Sequence, residues 1–344
     1  MKVSVIMPVR NGEAYLQEAV RSVQAQSLSE FELLIINDHS TDRSPLIARE
    51  LAKGDGRIRV LDAPELGVCA ARNLGLSEAK GEWVFFMDCD DLLPGDSLAV
   101  LFEAAEERTD MVVGAHECFG AQNCAVFPDT AWPGMTGAKK RRAAALRLIE
   151  GDSVLNIMCN KLHRRAFLEK EGIRLDPGVR IAEDALFNLE CVLCGQEICY
   201  VHHVTYRYRM HAASSMNRLR GTQFDIHLPW LQAMRRLLVR RGGMEAYYGA
   251  YLDSAVLRLY KDGGLGAACR EFQARVYPLC DPEGLDLQKM SAWDRWLAHL
   301  TKHGLYPRVY PVLFAGQVLA RKKNEFFFLL SKAGKEKALY RREK

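Results

Sequence analysis

Three aspartates lie within four positions, at the point where an apolar segment of the chain ends. Asp88, Asp90 and Asp91 follow Phe85-Phe86-Met87, which has the character of a buried strand. Carboxylates this close repel one another, so a counter-charge is needed. Mg²⁺ or Mn²⁺ would supply it, because hard cations prefer oxygen ligands and take the remainder from water and substrate phosphates. The alternative is that Asp90 or Asp91 caps the helix that follows Pro94.

Two further polar loops follow apolar segments nearer the amino terminus. They are Pro8-Val9-Arg10-Asn11-Gly12-Glu13 and Asn37-Asp38-His39-Ser40-Thr41-Asp42. Asp38 leaves the end of a strand and could accept a hydrogen bond from a base or a ribose, whereas Asp42 fits a cap of the next helix. The first loop has neither a G-x-G-x-x-G pattern nor a Walker glycine–lysine pattern. This argues against a dinucleotide dehydrogenase and against a P-loop NTPase.

Alternating strands and helices in the first half of the chain position these loops. Apolar segments predict strands at 3–7, 31–36, 57–61, 83–87 and 111–115, with helical patterns between the first four, including 44–53 and 68–79. This alternation predicts an α/β fold with a mostly parallel sheet that is covered on both faces. Ligands of such sheets bind beyond the carboxyl ends of the strands, where all three polar loops are expected to lie.

The carboxyl-terminal third differs in pattern and in charge. It reads as helical and rich in arginine and aromatic residues, so we expect two domains, 1–217 and 218–344. Residues 321–344 hold nine Lys or Arg and three Glu, a net charge of +6, whereas the whole chain of 344 residues carries +4 and the rest therefore −2. The body is thus not expected to bind nucleic acid.

The sequence also gives expectations about location. It shows neither a secretory signal nor a membrane span, which predicts a cytoplasmic protein. In the tail, Phe326-Phe327-Phe328 lies among basic residues, as at the interface of an anionic membrane. We therefore predict peripheral contact of 321–344 with the inner face of the cell membrane. The alternative is that these phenylalanines pack on the protein body.

The order of the motifs resembles the family 2 glycosyltransferases with the GT-A fold. The resemblance covers about residues 2–216, and the segments that carry it are Ser4–Asn11, Asn37–Asp42, Gly67–Gly75, Asp88–Asp90, Asn160–Leu162, Glu183–Phe187 and Tyr206–His211. They look like two nucleotide loops, the arginine-asparagine-x-glycine helix, the DxD metal motif, two acceptor-side motifs, and the strand and loop that close over the donor phosphates. Arg10 and His39 depart from the Tyr and Gly that are common in the family.

The resemblance implies an inverting enzyme that moves a sugar from a nucleotide-sugar, preferably a UDP-sugar, to an acceptor hydroxyl of a bacterial surface glycan or its lipid-linked precursor. It implies Asp184 as the catalytic base and Asp90 as the ligand of Mn²⁺ or Mg²⁺. The implied donor-binding residues are Pro8, Val9, Arg10, Glu13, Asp38, Arg72, Asn73, Asp88, Cys89, Arg209 and His211. The implied acceptor-side residues are Asn160, Lys161 and Glu183.

Other interpretations of the same residues stay open. Glu183 and Asp184 also suit a helix start, where carboxylates favour the positive end of the helix dipole. Arg209–His211 also suits an ordinary edge strand. A sugar-1-phosphate nucleotidyltransferase would use a metal on a similar sheet, but it needs a glycine-rich first loop, and this loop has one glycine. A non-catalytic scaffold that binds nucleotide-sugars is a further alternative, and a homodimer is compatible with the sequence.

Overall fold

The computed structural model describes residues 1–120, 124–126, 137–150, 153–210, 222–283, 285–303 and 305–309. The chain divides into two compact units, Met1–Ala250 and Tyr251–Lys344. The first unit therefore extends beyond residue 217, where the sequence analysis placed the boundary. The reason is that helix α9 (Gln223–Arg240) packs against helix α8 (Glu183–Cys194).

Over its described residues, the first unit is built on one eight-stranded sheet. Its strands are β1 (Val3–Val9), β2 (Phe31–Asn37), β3 (Ile58–Asp62), β4 (Trp83–Phe86), β5 (Thr109–Gly120), β6 (Cys124–Val126), β7 (Lys161–Arg164) and β8 (Glu197–Met210). The order is β3-β2-β1-β4-β7-β5-β6, and β8 pairs with β5. The pairs β1–β2, β1–β4, β2–β3 and β5–β8 are parallel, whereas β7 runs antiparallel to β4 and β5, and β6 antiparallel to β5.

Helices of the first unit cover this sheet. They are α1 (Leu16–Gln24), α2 (Ser44–Gly54), α3 (Val68–Glu78), α4 (Ser97–Glu103), α5 (Gly137–Glu150), α6 (Ser153–Asn156), α7 (Arg165–Glu171), α8 and α9. Helix α1 buries Leu16, Ala19, Val20 and Val23, the spacing of one apolar helix face. Helix α3 lies closest to the sheet at Gly75, because a β-carbon there would stand 2.3 Å from Cγ2 of Ile6.

The strands that the sequence predicts are confirmed, and the fifth is longer than expected. Strand β7 was missed, because only Leu162 among its four residues is an apolar strand former. Its neighbours Lys161 and His163 are both 0% exposed. Burial of a lysine and a histidine on a central strand depends on partners elsewhere in the chain, which local hydrophobicity does not report.

The second unit is helical over its described residues. It contains most of α10 (Met244–Glu271), a π-helical turn at Phe272–Val276, α11 (Tyr277–Cys280) and α12 (Ala292–Lys302). Helix α12 begins at Ser291, whose hydroxyl accepts a hydrogen bond from the backbone N–H of Asp294 at 3.0 Å. Within the described ranges, no helix combines the length and the apolar character needed to cross a bilayer.

Candidate active site

The loops after β1 and β2 are joined by hydrogen bonds into one wall of a site. Because these strands are parallel neighbours, their carboxyl ends lie side by side. The backbone N–H groups of Asn11, Gly12 and Glu13 donate to Ser40 Oγ at 3.1 Å, Ser44 Oγ at 2.9 Å and Asp42 Oδ2 at 3.0 Å. Asp42 also accepts from the N–H of Ser44 at 2.9 Å, at the first turn of α2. The N-cap of α2 is Arg43, without a side-chain cap hydrogen bond, so the prediction of Asp42 as the cap is wrong. Asp42 instead ties the two loops together.

Left-handed backbone conformations mark the same region. Among the described residues, the non-glycine positions with positive φ are Asn11 at 53°, His39 at 52° and Ala182 at 56°. Such conformations cost energy in residues with a side chain and concentrate at functional sites. The positive φ of His39 is a conformation that glycine adopts without strain. This gives a physical reason why glycine is common at this position in the family that the sequence resembles. Ala182 directly precedes Glu183 and Asp184.

The third loop, residues 88–92, follows β4, and we call it the aspartate loop. Its three carboxylates have different surroundings. Asp91 is 1% exposed and accepts hydrogen bonds from the hydroxyl of Tyr206 at 2.5 Å and the backbone N–H of Arg209 at 2.7 Å. Asp88 and Asp90 are half-buried. Helix α4 starts after Asp96, so the interpretation of Asp90 or Asp91 as its cap is wrong.

The first loop packs directly against the aspartate loop. A β-carbon on Gly12 would stand 2.8 Å from Sγ of Cys89, so only glycine fits without a shift. Burial raises the pKa of the Cys89 thiol well above its ordinary value, and the neighbouring aspartates add to that rise. Cys89 is therefore a neutral packing residue between the loops.

The oxygen ligands of the aspartate loop suit a cation that is shared with a substrate. In the part of the chain that the structure describes, no three His, Cys, Asp or Glu side chains converge on a position that could hold a metal ion. Asp88 and Asp90 are half-buried carboxylates of the aspartate loop. One or two carboxylates fit Mg²⁺ or Mn²⁺ when phosphate oxygens and water complete the shell. The residues thus fit a divalent cation that binds together with a diphosphate.

A buried arginine connects the aspartate loop to helix α8. Arg72 is 5% exposed, and its Nη2 donates to Asp88 Oδ1 at 2.9 Å. Its Nη1 donates to Glu183 Oε1 at 3.0 Å. Arg72 is predicted to bind the donor, and that role stays a prediction; the structure shows its buried side chain paired with these two carboxylates. Its charge therefore holds the two sides of the site together.

Asp184 has the electrostatic surroundings of a general base. It lies in the first turn of α8, and its Oδ1 accepts a hydrogen bond from the N–H of Ala185 at 2.9 Å. Burial, and after it the charge of Glu183, raise the pKa of Asp184 to about 7, while Arg72 acts in the opposite direction. A carboxylate with a pKa near 7 can take a proton at neutral pH and release it again.

Comparison with known proteins identifies the chain. Residues 4–172 match the sequence profile of glycosyl transferase family 2. An uncharacterised glycosyltransferase of Haemophilus influenzae is 30% identical over 231 residues, which span 66% of this chain and 86% of that relative. This chain belongs to glycosyltransferase family 2.

Two further comparisons bear on this glycosyltransferase. The poly(ribitol-phosphate) β-N-acetylglucosaminyltransferase TarP of Staphylococcus aureus is 29% identical over 199 residues, 56% of this chain and 58% of TarP. The crystal structure of S. aureus TarS 1–349 in complex with UDP-GlcNAc superimposes with a TM-score of 0.63 at 20% identity, covering 92% of each chain. The predicted GT-A fold with a helical carboxyl-terminal region is confirmed.

The residues predicted for the two nucleotide loops of this glycosyltransferase are partly buried in the core and partly exposed. Pro8 and Val9 are buried as the last residues of β1, whereas Arg10 and Glu13 are exposed. The Glu13 carboxylate accepts the N–H of Arg43 at 3.0 Å. Asp38 is 3% exposed and accepts the N–H of Gly67 at 2.7 Å. Arg10 and Glu13 are thus the predicted donor contacts of this loop that are exposed.

Three of the predicted binding residues, Asn73, Asn160 and Lys161, form hydrogen bonds with other parts of the fold. Asn73 exchanges two hydrogen bonds with the backbone of Leu175, at 2.9 and 3.0 Å. Asn160 and Lys161 are both 0% exposed. The ammonium of Lys161 donates to Asn160 Oδ1 at 2.6 Å and to the carbonyl oxygens of Val154, at 2.7 Å, and Ile157. Both side chains are thus held inside the fold, and the acceptor-side role predicted for this pair stays a prediction.

The end of β8 is closely bound to the aspartate loop in this enzyme. Arg209 donates from Nε to the carbonyl of Asp90 at 2.7 Å and from Nη2 to Glu18 at 2.7 Å, and its guanidinium lies over the rings of Tyr15 and Phe119. These contacts do not fit the alternative that Arg209 is an ordinary exposed residue of an edge strand. Tyr206, to which the sequence analysis gave no role of its own, contacts the same loop. His211 lies outside the described residues.

Proposed function

We propose that this glycosyltransferase moves a sugar from a UDP-sugar to an acceptor hydroxyl, with inversion at the anomeric carbon and with Asp184 as the base. The main support for the proposal is that Arg72 forms ion pairs with both Asp88 and Glu183. One buried guanidinium thereby connects the loop suited to a diphosphate with the helix turn that holds Asp184. This arrangement suits a reaction in which donor and acceptor meet between the two.

The proposed nucleotide is UDP, held by the joined loops after β1 and β2. Arg10 and Glu13 are exposed at this wall, and Asp38 lies at the carboxyl end of β2. TarS, which shares the fold, was crystallised with UDP-GlcNAc, and TarP is named as an N-acetylglucosaminyltransferase. Both names support a UDP-sugar, and an N-acetylhexosamine is the first sugar to try.

We further propose that Asp90, next to Asp88, holds Mn²⁺ or Mg²⁺ together with the two phosphates of the donor. A divalent cation bound there stabilises the negative charge that develops on the leaving diphosphate. The support is the chemistry of the ligands, because one or two half-buried carboxylates suit a cation that the substrate helps to bind.

In the proposed reaction, Asp184 removes the proton from the acceptor hydroxyl while that oxygen attacks the anomeric carbon. The bond between the anomeric carbon and the diphosphate oxygen breaks at the same time, and UDP leaves with the electron pair. A single displacement of this kind inverts the anomeric centre. Glu183 is the poorer candidate for the base, because Arg72 already neutralises its charge at 3.0 Å.

The proposed acceptor is a bacterial surface glycan or its lipid-linked precursor. TarP is named for transfer to poly(ribitol-phosphate), a polymer with free hydroxyls, which supports this class. A membrane-bound acceptor would suit an enzyme at the inner face of the membrane. The predicted contact through 321–344 lies outside the described residues. Nearby in sequence, α12 exposes Trp293 by 51% and Trp296 by 41%, which supports an interfacial position for this part of the chain.

A donor screen tests the proposed function. Purified enzyme with Mn²⁺ is incubated with UDP-, GDP- and dTDP-sugars, and released nucleotide is measured with and without acceptor glycan. We expect UDP from one UDP-sugar and faster release with acceptor. A nucleotidyltransferase would instead release pyrophosphate from UTP and sugar-1-phosphate, and a scaffold would release nothing.

A further inference from the structure

Six hydrogen bonds join the aspartate loop to the last residues of β8. They run from Asp88 N to Tyr206 Oη (3.1 Å), Tyr206 Oη to Asp91 Oδ2 (2.5 Å), Arg209 N to Asp91 Oδ1 (2.7 Å), Arg209 Nε to Asp90 O (2.7 Å), Leu92 N to Arg207 O (3.0 Å) and Arg207 N to Leu92 O (2.9 Å). The last two form an isolated antiparallel bridge. Every residue of the loop except Cys89 takes part in at least one of these bonds.

The hydroxyl of Tyr206 is the innermost of these contacts. The residue is 1% exposed, and its ring lies 6.3 Å from that of Phe85, so the side chain is fixed within the sheet. The hydroxyl donates to the Asp91 carboxylate and accepts from the backbone N–H of Asp88. It thereby fixes the backbone at Asp88, which carries the first carboxylate of the loop.

Asp91 uses both carboxylate oxygens in this arrangement. One accepts from Tyr206 and the other from the backbone of Arg209, and the residue is 1% exposed. Turning either oxygen towards a cation would break a hydrogen bond to a buried partner, which is costly. Asp91 therefore anchors the loop, whereas Asp88 pairs with Arg72 and Asp90 is half-buried.

We propose that Tyr206 and Asp91 are positioning residues that hold the aspartate loop in the shape that binds the donor diphosphate. The inference rests on the proposed function, in which Asp90, next to Asp88, holds a divalent cation together with that diphosphate. Arg209 extends the same anchoring through the carbonyl of Asp90. A loop fixed in advance loses less conformational entropy when the donor binds, so loosening it weakens donor binding more than it slows the chemical step.

The test is Tyr206→Phe, which keeps the ring and removes both hydrogen bonds of the hydroxyl. Binding of UDP in the presence of MnCl₂ is measured by calorimetry, alongside the melting temperature and the KM and kcat of transfer. We expect UDP–Mn²⁺ to bind about tenfold more weakly, since the buried carboxyl of Asp91 and the backbone N–H of Asp88 each lose their hydrogen bond to the hydroxyl. KM for the donor should rise and kcat should change much less.

A matched control is Tyr306→Phe in the second unit. Tyr306 is also fully buried and donates its hydroxyl to a carboxylate, that of Asp253. We expect this variant to lose stability as Tyr206→Phe does but to bind UDP–Mn²⁺ like the wild type. Equal weakening in both variants would mean that lowered stability alone explains the effect, and it would overturn the positioning role.

Asp91→Asn is a second variant, and it keeps the proposal testable if Tyr206→Phe does not fold. We expect a smaller loss of UDP–Mn²⁺ affinity than for Tyr206→Phe, and the double variant should be no weaker than Tyr206→Phe alone, because both changes remove one shared contact. Loss of Mn²⁺ dependence in Asp91→Asn with normal binding in Tyr206→Phe would make Asp91 a metal ligand and overturn the inference. Wild-type enzyme that binds no UDP–Mn²⁺ would overturn the inference together with the proposed function.

Discussion

Arg72 donates a hydrogen bond to Glu183 at 3.0 Å, although 111 positions separate the two residues in the sequence. The same guanidinium pairs with Asp88 at 2.9 Å. Both ion pairs form around an arginine that is 5% exposed, so each carboxylate depends on it for a counter-charge. Arg72 therefore joins the aspartate loop, for which we propose donor binding, to the first turn of α8, for which we propose proton removal.

Replacing Arg72 should therefore damage both stability and activity. Arg72→Met leaves Asp88 and Glu183 without a partner, and breaking a buried pair costs about 3–5 kcal/mol of unfolding free energy. We expect the lower end, because Asp88 keeps 35% of its side chain exposed to solvent. Chemical denaturation measures the loss. Arg72→Lys should recover part of it, since an ammonium keeps the charge but cannot form both hydrogen bonds.

Lys53→Met is the control for this experiment. Lys53 pairs with Glu50, and their side chains are 72% and 71% exposed. A surface pair of this kind contributes between about 0 and 1 kcal/mol. Equal stability of Arg72→Met and Lys53→Met would show that the buried guanidinium does not hold the site together.

Removal of divalent cations should abolish transfer. We expect excess EDTA to lower the rate by about two orders of magnitude or more, because a metal supplies several kcal/mol of charge stabilisation. Added Mn²⁺ or Mg²⁺ should restore it. Asp90→Ala should lose activity and metal-dependent UDP binding while its melting temperature stays close to that of the wild type. Full activity in excess EDTA would contradict the proposed metal site.

The pH dependence of transfer should report the protonation of Asp184. Its pKa is raised to about 7 by burial and by the charge of Glu183. Below that pH the carboxyl is protonated and cannot accept a proton, so the rate should fall about tenfold per pH unit on the acid side and level off above. In Glu183→Gln the like charge is gone, so the pKa of Asp184 falls and the acid limb should move to lower pH. An acid limb that stays in place would exclude Asp184 as its source.

Membrane contact by the carboxyl-terminal region should depend on anionic lipid. The tail carries nine basic residues within 321–344, and each contributes about 1 kcal/mol near an anionic surface. We expect the full chain to co-sediment with anionic vesicles and a truncation after Ala320 to bind less. Replacing Trp293 and Trp296 together by serine tests the contribution of α12. Identical partitioning of all three proteins would remove the proposal.

The parallel half of the sheet could be predicted from the sequence, because each of its strands is a short local apolar run. The same reasoning located the three polar loops at the carboxyl ends of β1, β2 and β4. It failed at β7, where Lys161 is buried and held by carbonyl oxygens of other segments. It also did not reveal the ion pairs of Arg72, because the partners of this residue lie 16 and 111 positions away. Local patterns contain no information on such contacts.

Asp184→Asn tests the central claim most directly. The asparagine keeps the size of the side chain but cannot take a proton, so we expect transfer to fall by about two orders of magnitude or more. UDP-sugar binding, measured by calorimetry, should stay near the wild-type value. Asp294→Asn is the matched control, because Asp294 is a buried aspartate in the first turn of α12 and should affect only stability. Transfer by Asp184→Asn within a few-fold of the wild-type rate would contradict the account and leave Glu183 as the next candidate base.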